Sequence, residues 1–404
     1  MTRLPLEGIR ICDFTWVWAG PYATMLLSMM GAEVIKIESS RRPDQIRTAA
    51  TGADGVAGLN RSASFNSLNC AKKSCTLDLT KPKGVELAKE LIKISDVVTE
   101  NFSTGVMERF GLSYEELKKL KPDIIAYSSS IPGRIGPKNY YTGYAVESHS
   151  LSGAASITGR PGGPPIHIGA AYGDLITGSH GALAILAALH HRDQTGEGQF
   201  IDMSMTEAVA VTIPEAIMDY TMNGRVRGRR ANKDDFMAPH GCYPCRGEDK
   251  WVAIAISNEQ EWRAFCRAIG KPEWTKDEMF ADGYRRWANQ EELDKLVGSW
   301  TKDYTHYEVM EILQRAGVPA GPSVNVEELV NDRHLKQRHF FIETDHSEVG
   351  KRTMLDLPWK FGSLSDREYR AGPCLGEHND YVFGELLGLS KEEIARLVEE
   401  EVIK

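Results

Sequence analysis

No stretch of the chain approaches the roughly 18 uninterrupted apolar residues that a membrane span requires; the densest run, Leu183 to Leu189, is far shorter. Met1 to Gly8 lacks the apolar core of a secretory leader. Cysteine is sparse: seven residues, an odd number without framework spacing, argue against a disulfide scaffold and for a reducing compartment. Together these absences lead us to expect a cytoplasmic protein with no membrane partner. Positive charge is also short. A net charge of −8 argues against nonspecific nucleic-acid binding, which needs a basic surface, but leaves room for a local basic groove for an anionic ligand.

Several chemistries are missing their motifs. No G-x-S-x-G marks a serine hydrolase, and no G-x-x-x-x-G-K-[ST] marks a phosphate loop. Neither H-E-x-x-H nor H-x-H occurs, so no metal site is expected; His180, His190 and His191 read as core or capping residues. Cys242 and Cys245 have C-x-x-C spacing. They lack both a second pair for zinc and thioredoxin-like surroundings for redox work, and read as structural thiols.

What remains is an ordinary globular mix, 42% apolar and 26% charged, in 404 residues that suffice for two domains. In the first half strands alternate with helices. Strands are expected at 9–14, 33–37, 74–79, 96–99, 123–127 and 199–203, and helices at 21–30, 85–94, 114–120, 175–191 and 206–222. That alternation means a parallel sheet with helices on its faces, a Rossmann-like α/β domain. The turn after the first strand, Thr15 to Pro21, holds one glycine rather than G-x-G-x-x-G, so dinucleotide binding loses its main support. The sequence divides into a large domain over 1–224, a basic linker over 225–236, a smaller α+β domain over 237–330, and a final segment over 331–404. Within the last segment, 338–357 reads as two strands joined near Ser347, and 390–404 as a charged, solvated helix.

Asp174 is the leading candidate for chemistry. It lies at the expected start of an apolar helix, among Gly169, Gly173 and Gly178, which open the backbone to close approach. One reading makes it a helix N-cap. The other makes it a carboxylate nucleophile toward an activated acyl group, its charge favoured by the helix N-terminus. The two are compatible. Arg41, Arg42, Arg47, Lys72, Lys73 and Arg109 fall in loops or at element ends near the carboxyl ends of the expected strands, where a phosphorylated ligand would bind. Trp16, Trp18 and Tyr22 can wall an apolar or aromatic acyl group.

These residues resemble the class III CoA-transferases, the family of formyl-CoA:oxalate and carnitine CoA-transferases. The likeness runs over essentially the whole chain. It includes Asp13-Phe14-Thr15 with Ala19-Gly20-Pro21, Gly31 to Glu38, Glu100-Asn101-Phe102, Gly169 to Ala208, Gly317 to Pro322 and Leu375 to His378. The resemblance implies that Asp174 attacks an acyl-CoA thioester and then carries CoA as an aspartyl thioester. It implies no permanently bound cofactor, coenzyme A entering as the thioester substrate. It places CoA contacts at Val17, Trp18, Ala19, Asn69, Lys72, Lys73, Asn101, Phe102, Arg109 and Met205. It further implies an interlocked dimer, or a heteromer with a related subunit, with 331–404 returning to the large domain.

Three departures bear on substrate. Trp18 stands where oxalate enzymes have glutamine. Asn232 to Phe236 replaces their glycine-rich lid. Ser39 replaces an arginine, with Arg41 or Arg42 as substitutes. The Trp16 to Pro21 turn resembles enzymes that activate benzylsuccinate from succinyl-CoA, which implies an apolar or aromatic acceptor acid. Two alternatives stay open: an α-methylacyl-CoA racemase-like isomerase, disfavoured because Gly143-Tyr144-Ala145 lacks the His and Asp of that group, and a non-catalytic partner subunit.

Overall fold

In a computed structural model that describes residues 4–49, 52, 55–169, 171–362 and 369–404, the alternation of the first half forms one six-stranded sheet. Its strands are β1 (Arg10–Asp13), β2 (Glu33–Glu38), β3 (Lys73–Thr76), β4 (Val97–Glu100), β5 (Ile125–Ser130) and β6 (Phe200–Ser204). They run in the order β3-β2-β1-β4-β5-β6, every neighbouring pair parallel. This is the Rossmann-like α/β architecture expected, and helices cover both faces. Hence the middle of the sheet is buried, with Cys12 opposite Ile35 on one side and Val98 on the other, while charged residues such as Asp13 and Lys36 lie buried on the same strands. One face is packed by α2 (Pro82–Lys93), through Leu87, Leu91 and Ile92, together with Leu397, Val402 and Ile403 of the C-terminal tail. The tail read as a solvated helix therefore lends its apolar side to this core.

The other face is covered by α1 (Ala19–Met29) and α4 (Tyr172–Thr195), with α3 (Ala145–Leu151) preceding the latter in the chain. Leu27, Met29, Ile185 and Leu189 join one core there. Two of the boundaries that differ from the sequence reading matter here. First, α4 begins three residues earlier than expected, so Asp174 is its third residue; the N-cap position is Ala171, and no side chain caps the helix. The capping role expected of Asp174 is thereby corrected. Second, the helix expected over 206–222 is two, Met205–Ala210 and α5 (Pro214–Asn223). Pro214 has no N–H to continue the first helix and opens the second instead.

The chain forms two compact units. The first comprises Met1–Ser156, Ile166–Arg227 and His339–Lys404. The second comprises Ile157–Pro165 and Gly228–Arg338. The second unit holds an antiparallel sheet of β7 (His240–Pro244), β8 (Trp251–Ala255) and β9 (Ala320–Ser323), whose Val252 and Ile254 pack with Phe265, Leu293, Val309 and Leu313. An antiparallel hairpin, β10 (Phe341–His346) with β11 (Gly350–Leu355), belongs to the first unit. All seven cysteines are free thiols. Among the described residues no helix is long and apolar enough to cross a membrane.

The α1–α4 contact is set by Gly178. A Cβ there would lie 2.6 Å from the Ala19 carbonyl oxygen and 3.1 Å from the Ala23 nitrogen, both backbone atoms that cannot swing away. Gly178→Ala should therefore push the helices apart and cost about 1–3 kcal/mol. Urea unfolding at neutral pH measures this; an unchanged midpoint would show that the contact yields without cost.

Candidate active site

In an open parallel sheet, ligands bind beyond the carboxyl ends of the strands, at the point where strand order reverses. Here that point lies between β1 and β4. A cavity of about 620 Å³ opens there. Its wall takes Phe14 and Trp16 to Ala19 from beyond β1, Asn101 to Ser103 from beyond β4, Leu77 to Thr80 from beyond β3, and Ser129 to Ile131 from β5 and just beyond. Asp174 enters the same wall from the first turn of α4.

Asp174 is 9% exposed. Burial pushes its carboxyl up to about 6, while the Ala19 backbone N–H pulls the other way. Ala19 is the first residue of α1, so the carboxylate faces one helix N-terminus and rides on another. The glycines around it work differently from the sequence reading. A Cβ on Gly173 would lie 2.5 Å from the Ser148 hydroxyl of α3, and one on Gly178 would strike α1. Both serve packing within the protein rather than ligand access; only Gly169 faces open space.

The turn from Thr15 to Ala19 is irregular and fully restrained. Val17 has φ of 68°, a left-handed conformation that is costly for a β-branched residue. Its N–H donates to Asp44 Oδ1 at 2.9 Å. Asn101 brackets Trp16, accepting from its N–H at 2.7 Å and donating to its carbonyl at 2.8 Å. Lys36 Nζ donates to the Thr15 carbonyl at 2.6 Å and pairs with Asp44 Oδ2 at 3.0 Å. Behind them Asp13, fully buried, accepts from Thr15, Thr24, Thr99 and Lys72. Burial opposes its ionisation, but Lys72 and Lys36 outweigh that and hold its carboxyl below the usual range. Asp13 and Lys36 entered the sequence reading only as parts of family-like stretches, and Asp44 and Thr24 not at all. A lysine inside the apolar strand Val34-Ile35-Lys36-Ile37 is the signal that such a network exists.

The description of CoA-transferase family III matches residues 6–379. The chain belongs to that family. A succinyl-CoA–D-citramalate CoA-transferase of Chloroflexus aurantiacus is 33% identical to this CoA-transferase family member over 99% of this chain and 98% of its own. The beta subunit of a succinyl-CoA–L-malate CoA-transferase from the same organism is 33% identical over 100% of this chain and 99% of its own. Among solved structures, a CAIB/BAIF family protein from Brucella suis has a TM-score of 0.86 at 31% identity, covering 95% of this chain and 100% of that one.

Of the residues singled out in this CoA-transferase family chain, Val17, Trp18, Ala19, Arg41, Arg42, Asn101, Phe102, Arg109, Asp174 and Met205 share the one cavity. Asn69, Lys72, Lys73 and Arg47 are not on its wall and are engaged within the protein. Lys72 is buried against Asp13, with Asn69 accepting from its ammonium. Burial drops its pKa to about 8. Lys73 pairs with Glu33 and lies over the Tyr381 ring. Arg47 grips both oxygens of Glu38 and stacks 3.5 Å over the Phe65 ring. On the cavity wall, Trp16 meets Phe102 edge to face at 5.4 Å, and the Arg42 guanidinium sits 5.5 Å from its ring. Arg41 is held by Glu401 at 2.5 Å. Trp18 packs on Ile46, Phe65 and Leu68, and Met205 on Ala19 and Ile131. No cluster of three metal-ligating side chains occurs among the described residues.

A carboxyl raised from 3.8 to about 6 in the fold destabilises it wherever that group must ionise. The penalty begins above the unfolded value, grows until pH passes the folded value, and then stays constant. Asp174→Asn should thus raise unfolding free energy at pH 8 by up to about 3 kcal/mol, and the gain should vanish near pH 4. Paired denaturation curves at the two pH values test this; an equal effect at both would contradict the burial of an ionised group.

Proposed function

We propose that this chain moves CoA from an acyl-CoA thioester to a free carboxylic acid, with Asp174 as nucleophile. The observation that carries the reading is a nearly buried carboxylate at a helix N-terminus, in the wall of the cavity beyond the sheet. An Asp174 oxygen attacks the thioester carbonyl, the C–S bond breaks, and CoA thiolate departs from a mixed anhydride. The thiolate then attacks the Asp174 carbonyl carbon, forming an aspartyl-CoA thioester and releasing the donor acid. The acceptor carboxylate displaces CoA thiolate from this thioester to give a second anhydride. Thiolate attack on the acceptor's carbonyl yields the new acyl-CoA and returns Asp174. No oxidant, metal or other cofactor enters this balance, and exclusion of water keeps the anhydrides from hydrolysis.

The arginines Arg41, Arg42 and Arg109 on the wall supply charge for the phosphates of CoA. Succinyl-CoA appears in the names of both relatives described above, and we assign it to this chain as the donor. Trp16, Trp18, Phe102, Tyr141 and Tyr144 make the wall rich in aromatic rings and fit an acceptor acid with an apolar or aromatic body. An interlocked dimer, or pairing with a related subunit, accounts for α5, which has no buried residue and exposes Ile217, Met218, Tyr220 and Met222.

Asp174→Ala should reduce exchange from succinyl-CoA to a panel of acids by at least about 10³-fold, the scale of losing a nucleophile. CoA affinity should change little. Because only the ionised carboxylate attacks, the wild-type acylation rate should climb with pH through about 6 and level off above it. Aromatic acids should outrun oxalate. Turnover retained in the variant would refute the nucleophile, and preference for oxalate would refute the acceptor assignment.

A further inference from the structure

The Ala19 N–H points where the peptide plane between Trp18 and Ala19 points, and that plane belongs to the Thr15–Ala19 turn rather than to the body of α1. A turn with a valine at φ of 68° does not hold such a plane by itself. It is held from outside by two side chains on different elements. Asp44, fully buried after β2, takes the Val17 N–H on Oδ1 and also the Ile46 N–H, while Lys36 fixes Oδ2. Asn101, just past β4, uses both ends of its amide on Trp16. With its amide thus occupied, Asn101 serves the turn rather than a ligand.

We propose that Asp44 and Asn101 are positioning residues for Asp174, gripping the turn so that the Ala19 amide stays beside Asp174 on the cavity wall, where α1 and α4 meet at Gly178. The inference rests on Asp174 being the nucleophile. Around Asp44 the charged groups are Lys36, Glu38 and Arg47, with Asp13 and Lys72 behind Lys36. Asp174 itself is governed by burial and by that amide. If the amide turns away, the carboxyl loses the influence that favours its ionised form, and the nucleophile is protonated at a higher pH.

The test compares single-turnover acylation by succinyl-CoA at pH 6 and pH 8 in Asp44→Asn, Asn101→Ala and wild type, with CoA-thioester saturation confirmed at each pH. Asp44→Asn places an amide NH2 against the Lys36 ammonium; Asn101 is only half-buried, so its truncation leaves a folded variant for the test even if the first does not fold. We expect each folded variant to be slowed at least threefold more at pH 6 than at pH 8. A uniform slowing at both pH values, as mere loss of stability or of CoA contact would give, overturns the assignment for that residue. The separate exchange assay of Asp174→Ala decides the underlying reading, so the two failures are distinguishable.

Discussion

The site depends on the approach of two helix N-termini, which brings the first amide of α1 to favour the ionised form of a carboxylate in the first turn of α4. That approach requires two helices to cross at a separation only a glycine allows, and Gly178 lies against the Ala19 carbonyl to permit it. The consequence is electrostatic. Asp174 is buried enough to resist ionisation, yet the amide and the two helix N-termini keep the anion accessible near neutral pH. A carboxylate poised in this way is more basic than a solvated one and is poorly hydrated, two properties that suit attack on a thioester.

The irregular backbone beside it explains why so much charge is buried beneath the cavity. An extended turn at a ligand wall has N–H and C=O groups that no sheet or helix satisfies, and burying them unpaired costs more than supplying partners. Asp44, Asn101 and Lys36 are those partners, and Asp13, Lys72, Glu38 and Arg47 satisfy them in turn. Buried ion pairs of this kind contribute little net stability, because desolvation consumes much of the attraction. Their use here is to specify one conformation of a turn that would otherwise relax away from φ of 68° at Val17.

Much of this was legible in the residues. Alternating strand and helix patterns exposed the parallel sheet, and the carboxyl-end rule placed the ligand cavity before any coordinates. Asp174, read at a helix start, and the Trp16 to Ala19 turn, Arg41, Arg42 and Arg109, read in loops or at element ends, share one cavity wall. What the chain order hid was the surroundings of individual side chains. Asp174 looked like a cap because a helix boundary is uncertain by a few residues. The glycines looked like ligand access because sequence cannot tell an approaching helix from an approaching substrate. Lys72, Lys73 and Arg47 looked like phosphate ligands because long-range partners such as Asp13, Glu33 and Glu38 are invisible along the chain. Asp44 was hidden for the same reason: its target, Val17, is reached only through the fold.

The central claim is that a side-chain carboxylate carries CoA during exchange, and mass analysis of the peptide containing Asp174 tests it most directly. Protein quenched during turnover with succinyl-CoA should show that peptide heavier by one CoA less water, and the adduct should disappear in Asp174→Ala. Active exchange with no such adduct, or with one on another residue, would contradict the account.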